Sequence, residues 1–470
     1  MPERQIYLLS PRELSPETIA VAFAKTSRSP DSFREIAAGL TEEKSAQFHE
    51  KWVVGYGHAS VAEHAVLHLA FENVSRLAIE SIESNRLASY TEKSTRYQKW
   101  MADNFFVPKE LDGSALRDEY TAACRLLFQT YLDALEPVRD LVLGRAQRKP
   151  GESDEAMDRR LRSQYVDVCR FLLPAASLAN VGMTANARVL ESVIRKLLSH
   201  RLMEVREIGE QVKAVARDEV PTLVKYADAV PYLSETVDDL GSRSAAIAAK
   251  AGPAGCNLVD YDPDGESKVL AAALYRFGGM ALEDALAYVE TLPEAQCNEL
   301  ADALLKRLGE HDVPLRELEY STYTFDLVMD QGAYAEFKRH RMMTQTPQKL
   351  TTRLGYAVPQ LIEEAGLRSK YDAAMLAAAD VFERLSALNA DAAQYVVPNA
   401  YNRRVLARFN LREAYAFCQL RSAPNAHFSI RRIARRVYDA IRQVHPRLAA
   451  YMHLPEESLQ SLQDRYFAEG

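Results

Sequence analysis

The chain has 470 residues, 47% of them apolar and 26% charged, enough for two or three packed domains and unlike a disordered polymer. Its net charge of −7 sets the molecule as a whole against nucleic acid, so any anion it binds must be drawn by a local cluster. The five cysteines, Cys124, Cys169, Cys256, Cys297 and Cys418, are scattered without metal-ligand spacing, which predicts reduced thiols in a cytoplasmic protein and no metal site. The N-terminus lacks a signal-peptide core, and no run approaches the roughly 18 apolar residues of a membrane span.

The first informative stretch is residues 57–100, GHASVAEHAVLHLAFENVSRLAIESIESNRLASYTEKSTRYQKW. Leu67, Leu69 and Phe71 alternate with His68 and Ala70, which predicts a half-buried strand. Ser75 to Asn85 reads as a helix with Leu77, Ala78, Ile79 and Ile82 on one side. Ser84-Asn85-Arg86 stands at its exit, followed by a polar loop with Ser89, Glu92, Ser94 and Arg96. Charged residues then dominate 146–164, and 166–190 brings Arg170 ahead of Leu173-Pro174 and an Asn-x-Arg pair, Asn186/Arg188.

A stretch rich in Gly, Pro, Ser and Asp follows at 229–267, and beyond it the plan recurs. Tyr323, Phe325 and Leu327 alternate, a helical segment follows, and Arg339-His340-Arg341 sits at its exit. Residues 391–415 again hold an apolar pair ending in proline and then Asn410/Arg412. Arg339 lies 255 residues after Ser84 and Asn410 lies 224 after Asn186, so the first repeat carries 31 extra residues. That places an insertion near 108–162, with the charged run 146–164 as its mark. The period is far too long for a solenoid, and a duplicated domain is the expectation. Residues 429–447 hold six arginines at helical spacing. They read as an amphipathic helix with Ile430, Ile433, Val437 and Ile441 inward, a nucleic-acid-binding helix being the alternative.

Taken alone, Arg339-His340-Arg341 is a solvated helix end, and His58 and His64 are structural histidines. Together with their spacing they resemble the flavin-dependent thymidylate synthases. That family has a Gly-His…Glu-His element, an Arg-His-Arg signature leading to Glu, Ser and Arg-Tyr, an arginine before Leu-Pro, and an Asn-x-Arg helix with a later substrate-activating arginine. The first repeat keeps Gly57-His58, Ser60, Glu63-His64, Glu92, Ser94, Arg96-Tyr97, Arg170 and Asn186/Arg188, but has Ser84 and Asn85 in place of Arg and His. Arg195 or Lys196 falls near the later arginine. The second repeat keeps Arg339-His340-Arg341, Asn410/Arg412 and Arg421, but has Pro347, Lys349 and Thr351 where Glu, Ser and Arg are expected.

The resemblance implies an α/β (α+β) fold of two tandem domains, each a small sheet packed with helices, at 1–235 and 267–470 with a linker at 236–266. It implies C5 methylation of a uracil nucleotide, dUMP to dTMP in type, with FAD as cofactor and NADPH and methylenetetrahydrofolate as co-substrates. Arg421 is the catalytic residue it points to. Glu92, Ser94, Arg96, Arg170, Arg339 and Arg421 would bind substrate. His58, Ser60, Glu63, Arg339, His340, Arg341, Asn186, Arg188, Asn410 and Arg412 would bind the cofactor. The losses in the two repeats are complementary, so composite sites shared between them are expected, in a homodimer that imitates a tetramer. Glu336, three residues before Arg339, stands where the family tends to have Gln near the substrate phosphate, and this favours a second reading. In it the same fold acts on another pyrimidine nucleotide, for example by hydroxymethylation. A non-catalytic nucleic-acid-binding scaffold is the third.

Overall fold

The computed structural model describes residues 5–27, 29–96, 98–245, 247, 255–309 and 311–468; Tyr97 lies outside them. The chain divides into two compact units. Unit 1 comprises Met1–Ser94, Asn104–Arg117 and Ala176–Ala249; unit 2 comprises Thr95–Asp103, Asp118–Ala175 and Lys250–Gly470. The expected sequence halves are therefore not the spatial units. Two segments of the first half, carrying Arg96 and Arg170, pack with the second half.

Unit 1 holds a three-stranded antiparallel sheet of β1 (Val66–Ser75), β2 (Ser89–Glu92) and β3 (Leu178–Asn186), in the order β1-β3-β2. Unit 2 holds a four-stranded antiparallel sheet of β4 (Cys256–Tyr261), β5 (Thr322–Asp330), β6 (Thr344–Pro347) and β7 (Asn402–Asn410), in the order β4-β5-β7-β6. In β5 the side chains of Tyr323, Phe325, Leu327 and Met329 are buried while Thr322, Thr324, Asp326 and Val328 are only half so, because successive residues of a strand face opposite sides. Phe325 stacks on Phe409 of β7 with ring centroids 5.5 Å apart, fixing the register of the central pair.

The strands β1, β3, β5 and β7 each run straight into a helix whose first turn they cap. Ser75 accepts from Ala78 N to start Arg76–Glu83, and Asp330 accepts from Ala333 N to start Gln331–Phe337. Asn186 and Asn410 do the same, accepting from Val189 N and Glu413 N at the starts of Ala187–Leu198 and Leu411–Ser422. Side-chain oxygens at these positions satisfy amides that the helix leaves orphaned. The Asn of the repeated Asn-x-Arg pair therefore has a structural task in both halves.

Two expectations change. Residues 256–261, placed in the linker, form β4, which pairs with β5 because Cys256 and Leu258 pack against the core of unit 2. Residues 231–245 are helical as well. The insertion is a helical pair, Leu116–Arg145 and Asp154–Cys169, against the single helix Arg368–Leu388 of the second repeat. The charged run 146–164 straddles the turn between the two. The helix Phe428–Val444 buries Ile430, Ile433, Val437 and Ile441 as expected. Three of its five arginines are engaged internally: Arg431 with Glu457, Arg432 with Gln463 and the Phe467 ring, Arg435 with Asp439. Among the described residues no helix is long and apolar enough to cross a membrane.

The two proline motifs meet inside unit 2. Ala175 N donates to Val397 O at 2.9 Å, and Asn399 N donates to Leu173 O at 3.0 Å, so Pro174 faces Pro398 across a local two-fold axis. Residues 224 apart in sequence exchange equivalent bonds, the signature of an isologous contact. Arg170 of one motif thereby corresponds to Gln394 of the other.

Candidate active site

The helix Gln331–Phe337 stops after two turns, and the chain folds back through Lys338 to Met343. His340 N bonds Phe337 O at 3.0 Å, and Gln345 Nε2 bonds His340 O at 2.9 Å. This turn leaves Arg339 exposed and Arg341 half-buried, and drives the His340 ring inward, edge-on to Phe417. His340 Nδ1 donates to Glu413 Oε1 at 2.9 Å, and its Nε2 accepts from Arg421 Nε at 2.9 Å. That pair of bonds requires the neutral ring with its proton on Nδ1, an assignment made by the network. Burial lowers the His340 pKa, Glu413 opposes the shift, and the neighbouring positive charge of Arg421 adds to it.

From Arg421 the network continues. Arg421 Nη1 donates to Glu336 Oε2 at 3.0 Å, and Arg170 Nη2 lies 3.6 Å from Glu336 Oε1. Arg170 is 3% exposed and also bonds Thr95 Oγ1 and Gly332 O. Arg96 forks onto Asp167, with Nε and Nη2 at 2.8 and 2.7 Å from its oxygens, and gives Nη1 to Asn425 O. Burial lowers the pKa of Arg421, and the charges of Arg339 and Arg96 push the same way, which places all three in one field. One chain thus assembles Arg96 and Arg170 from the first repeat with Glu336, His340, Glu413 and Arg421 from the second. Four guanidinia and three carboxylates share the region. Charge-assisted, forked bonds of this kind hold geometry tightly.

The other expected residues lie elsewhere. In unit 1, His58 and Ser60 line a cavity of about 290 Å³ with Phe23, Phe48, Trp52 and His64. Glu63 pairs with Arg188. Glu92 accepts from Arg76 Nη1 at 2.6 Å, and Ser94 is half-buried. In unit 2, Arg412 bonds Glu319 and Pro314 O, each at 2.9 Å.

Asp167 and Glu413 escaped the sequence reading. Asp167 had a signal: an acid stands three residues before Arg170 and again, as Asp391, three before Gln394. Asp391 holds Lys349 at 2.6 Å, a residue in the place of Ser94, whereas Asp167 holds Arg96, whose place in the second repeat is taken by Thr351. The alternative between Arg195 and Lys196 also resolves. Lys196 Nζ donates to Ser84 Oγ at 2.6 Å and Asn85 Oδ1 at 2.9 Å, the places of Arg339 and His340, so Lys196 corresponds to Arg421.

A family model described as thymidylate synthase complementing protein matches residues 10–222 and 257–447. The chain belongs to that family, the flavin-dependent thymidylate synthases. A UPF0159 protein of Chlamydia muridarum is 32% identical over 435 residues, covering 88% of this chain and 82% of that protein. A UPF0159 protein of Thermoplasma acidophilum is 31% identical over 451 residues, 87% of this chain and 88% of that one. A flavin-dependent thymidylate synthase of Clostridium tetani is 28% identical over 215 residues, 45% of this chain and 82% of the relative. Among solved structures, the flavin-dependent thymidylate synthase of Helicobacter pylori complexed with FAD and dUMP is similar at 18% identity and a TM-score of 0.32. It covers 43% of this chain and 100% of that one. Two family matches in tandem account for a chain about twice the span of the Clostridium alignment.

Proposed function

We propose that the protein methylates a uracil nucleotide at C5, with methylenetetrahydrofolate as carbon donor and NADPH as reductant, at a site built from both repeats within unit 2. The observation that carries this reading is the buried chain Glu413–His340–Arg421–Glu336–Arg170, with Arg96 and Arg339 in its field.

The donor set suits phosphate-bearing groups. Arginine keeps its charge at every working pH, and its planar fork matches phosphate oxygens. FAD fits such a set through its pyrophosphate, and when bound it supplies the relay of electrons from NADPH. We assign its contacts to Arg339, His340 and Arg341, with Asn410 and Arg412 as further candidates; His58, Ser60, Glu63, Asn186 and Arg188, the other residues the resemblance implies, belong to unit 1. Arg96 and Arg170 take the substrate phosphate; Glu92 and Ser94, the other phosphate ligands the resemblance implies, belong to unit 1.

Arg421 has the chemical role. To form a bond at C5, negative charge must gather on a ring oxygen, and a guanidinium held beside that oxygen stabilises it. His340 fixes Arg421 by accepting from its Nε, and Glu413 fixes the tautomer of His340. Preorganised charge of this sort is worth a few kcal/mol where water is excluded. The cysteines have no part: burial pushes Cys124 and Cys256 up to about 12 and Cys169 and Cys418 further still, so none of these is a thiolate.

Glu336 favours a second reading, in which the same machinery acts on another pyrimidine nucleotide. Both are tested by incubating the FAD-loaded protein with NADPH, methylenetetrahydrofolate and dUMP and weighing the product. A gain of one methylene is expected, an added hydroxymethyl group indicates the second reading, and unchanged dUMP with UMP and dCMP also unchanged overturns both.

A further inference from the structure

Glu336 is 7% exposed and sits between two arginines. Its Oε2 accepts from Arg421 at 3.0 Å; its Oε1 lies 3.6 Å from Arg170 and makes no hydrogen bond. A buried carboxylate persists only when it is paired, and these guanidinia are what pairs it. They are also the two that the proposed function assigns to the nucleotide. The helix itself has no need of a carboxylate at this place, since the corresponding position in the first repeat is Ser81.

An incoming phosphomonoester must therefore take the fork of Arg170 from an anion already in residence, within reach of the carboxylate's charge. Like charges a few ångströms apart in a dry site repel strongly. We propose that Glu336 is a specificity-determining residue: it is the resident anion of the Arg170–Arg421 pair, and it sets how far the site prefers a phosphorylated pyrimidine to its nucleoside. This deepens the proposed function and rests on it. An uncharged base reaches Arg421 with no net charge for Glu336 to repel, whereas a phosphate at Arg170 meets the like charge of the carboxylate. The carboxylate thus narrows the gap between the two ligand classes.

The test measures binding of inorganic phosphate, dUMP and deoxyuridine to the FAD-loaded protein by calorimetry, in wild type, Glu336→Gln and Glu336→Ser. Gln keeps the shape of the side chain, and Ser copies the first repeat. Both variants should bind phosphate and dUMP at least about tenfold more tightly while deoxyuridine moves less than about twofold, the pattern of a removed like charge. Phosphate should also raise the melting temperature of the variants more than that of the wild type. Unchanged dUMP affinity, or equal tightening of dUMP and deoxyuridine, overturns the proposal. Should the variants not fold, the wild type alone decides. A dUMP-over-deoxyuridine preference of about 1,000-fold or more, what two unopposed charged hydrogen bonds supply, overturns the proposal, and a smaller one supports it. FAD binding is read by absorbance in the same samples. Its absence from the wild type sinks the functional reading and this proposal with it, whereas bound FAD with an unmoved ligand ratio sinks only the role of Glu336.

Discussion

The surroundings of Arg421 in unit 2 and of Lys196 in unit 1 share one local plan and have opposite character. Each cation stands near the end of a helix capped by an asparagine, and each reaches the turn after the strand-fed helix. Arg421 finds a histidine, a carboxylate and the fields of further arginines. Lys196 finds a serine hydroxyl and an amide oxygen, and burial lowers its pKa to about 8. A lone ammonium among neutral oxygens holds no pyrophosphate or phosphomonoester, since it has neither the fork nor the neighbours. Of the two regions that match the family model, one therefore carries a charged cluster and the other a neutral counterpart, called the remnant below. The remnant keeps the backbone plan because caps and strands serve folding whether or not a ligand is bound.

The sharpest way to break this comparison is to remove the two cations in turn. Arg421→Ala should lower turnover on the order of 10²-fold or more with flavin binding largely kept, the scale for loss of a preorganised charge. Lys196→Ala should leave turnover nearly unchanged. Equal losses in steady-state assays would make the two sites equivalent.

The acid pairs offer the next contrast. Arg96→Ala frees the Asp167 carboxylate and removes the phosphate ligand proposed above, so substrate turnover should vanish. Lys349→Ala, which opens the pair with Asp391, should be nearly silent. Flavin content sharpens the point further: titration followed by absorbance should saturate at about one FAD per chain, because only one set of forked cations can hold a pyrophosphate. Saturation at two would mean that the remnant still binds.

A smaller difference is expected in acid. Burial lowers the pKa of His340, His427 and His445 in unit 2 and of His49 in unit 1. A lowered histidine contributes stability that is complete above the unfolded value near 6.5 and is lost as pH falls through the folded value. Unit 2 should lose stability first between neutral pH and about pH 5. Trp100 reports on unit 2 and Trp52 on unit 1, so fluorescence melts of Trp52→Phe and Trp100→Phe read the units separately. Coincident or pH-independent transitions would contradict the assignment.

The smallest effect is symmetric. Asn186→Ala and Asn410→Ala each remove an N-cap and should each cost about 1 kcal/mol in denaturant unfolding. A large disparity would show that one Asn does more than cap.

Much of this was legible in the chain itself. The alternation of Tyr323, Phe325 and Leu327 is β5, and that of Leu67 and Phe71 is β1, because one face of each strand is buried and a period of two follows. The repeat, the Arg-His-Arg turn and the helix at 428–444 were equally readable, since local spacing determines them. The linker was misread because β4 is short and owes its pairing to β5, a partner some 65 residues away in sequence.

What the sequence alone determined was which residue types recur and which are lost: three cations kept near 339–341 and 421, and two acids kept at 167 and 391. What tertiary structure decided is which of them touch. Arg170 meets Glu336 because two proline motifs 224 residues apart pair about a local two-fold, and Arg96 joins them because its segment packs with unit 2 rather than with its own half. Nothing in local propensity carries such information. The charge of Arg421 is written in the sequence, but its setting is made by burial, and burial depends on contacts between segments that no short window of residues contains.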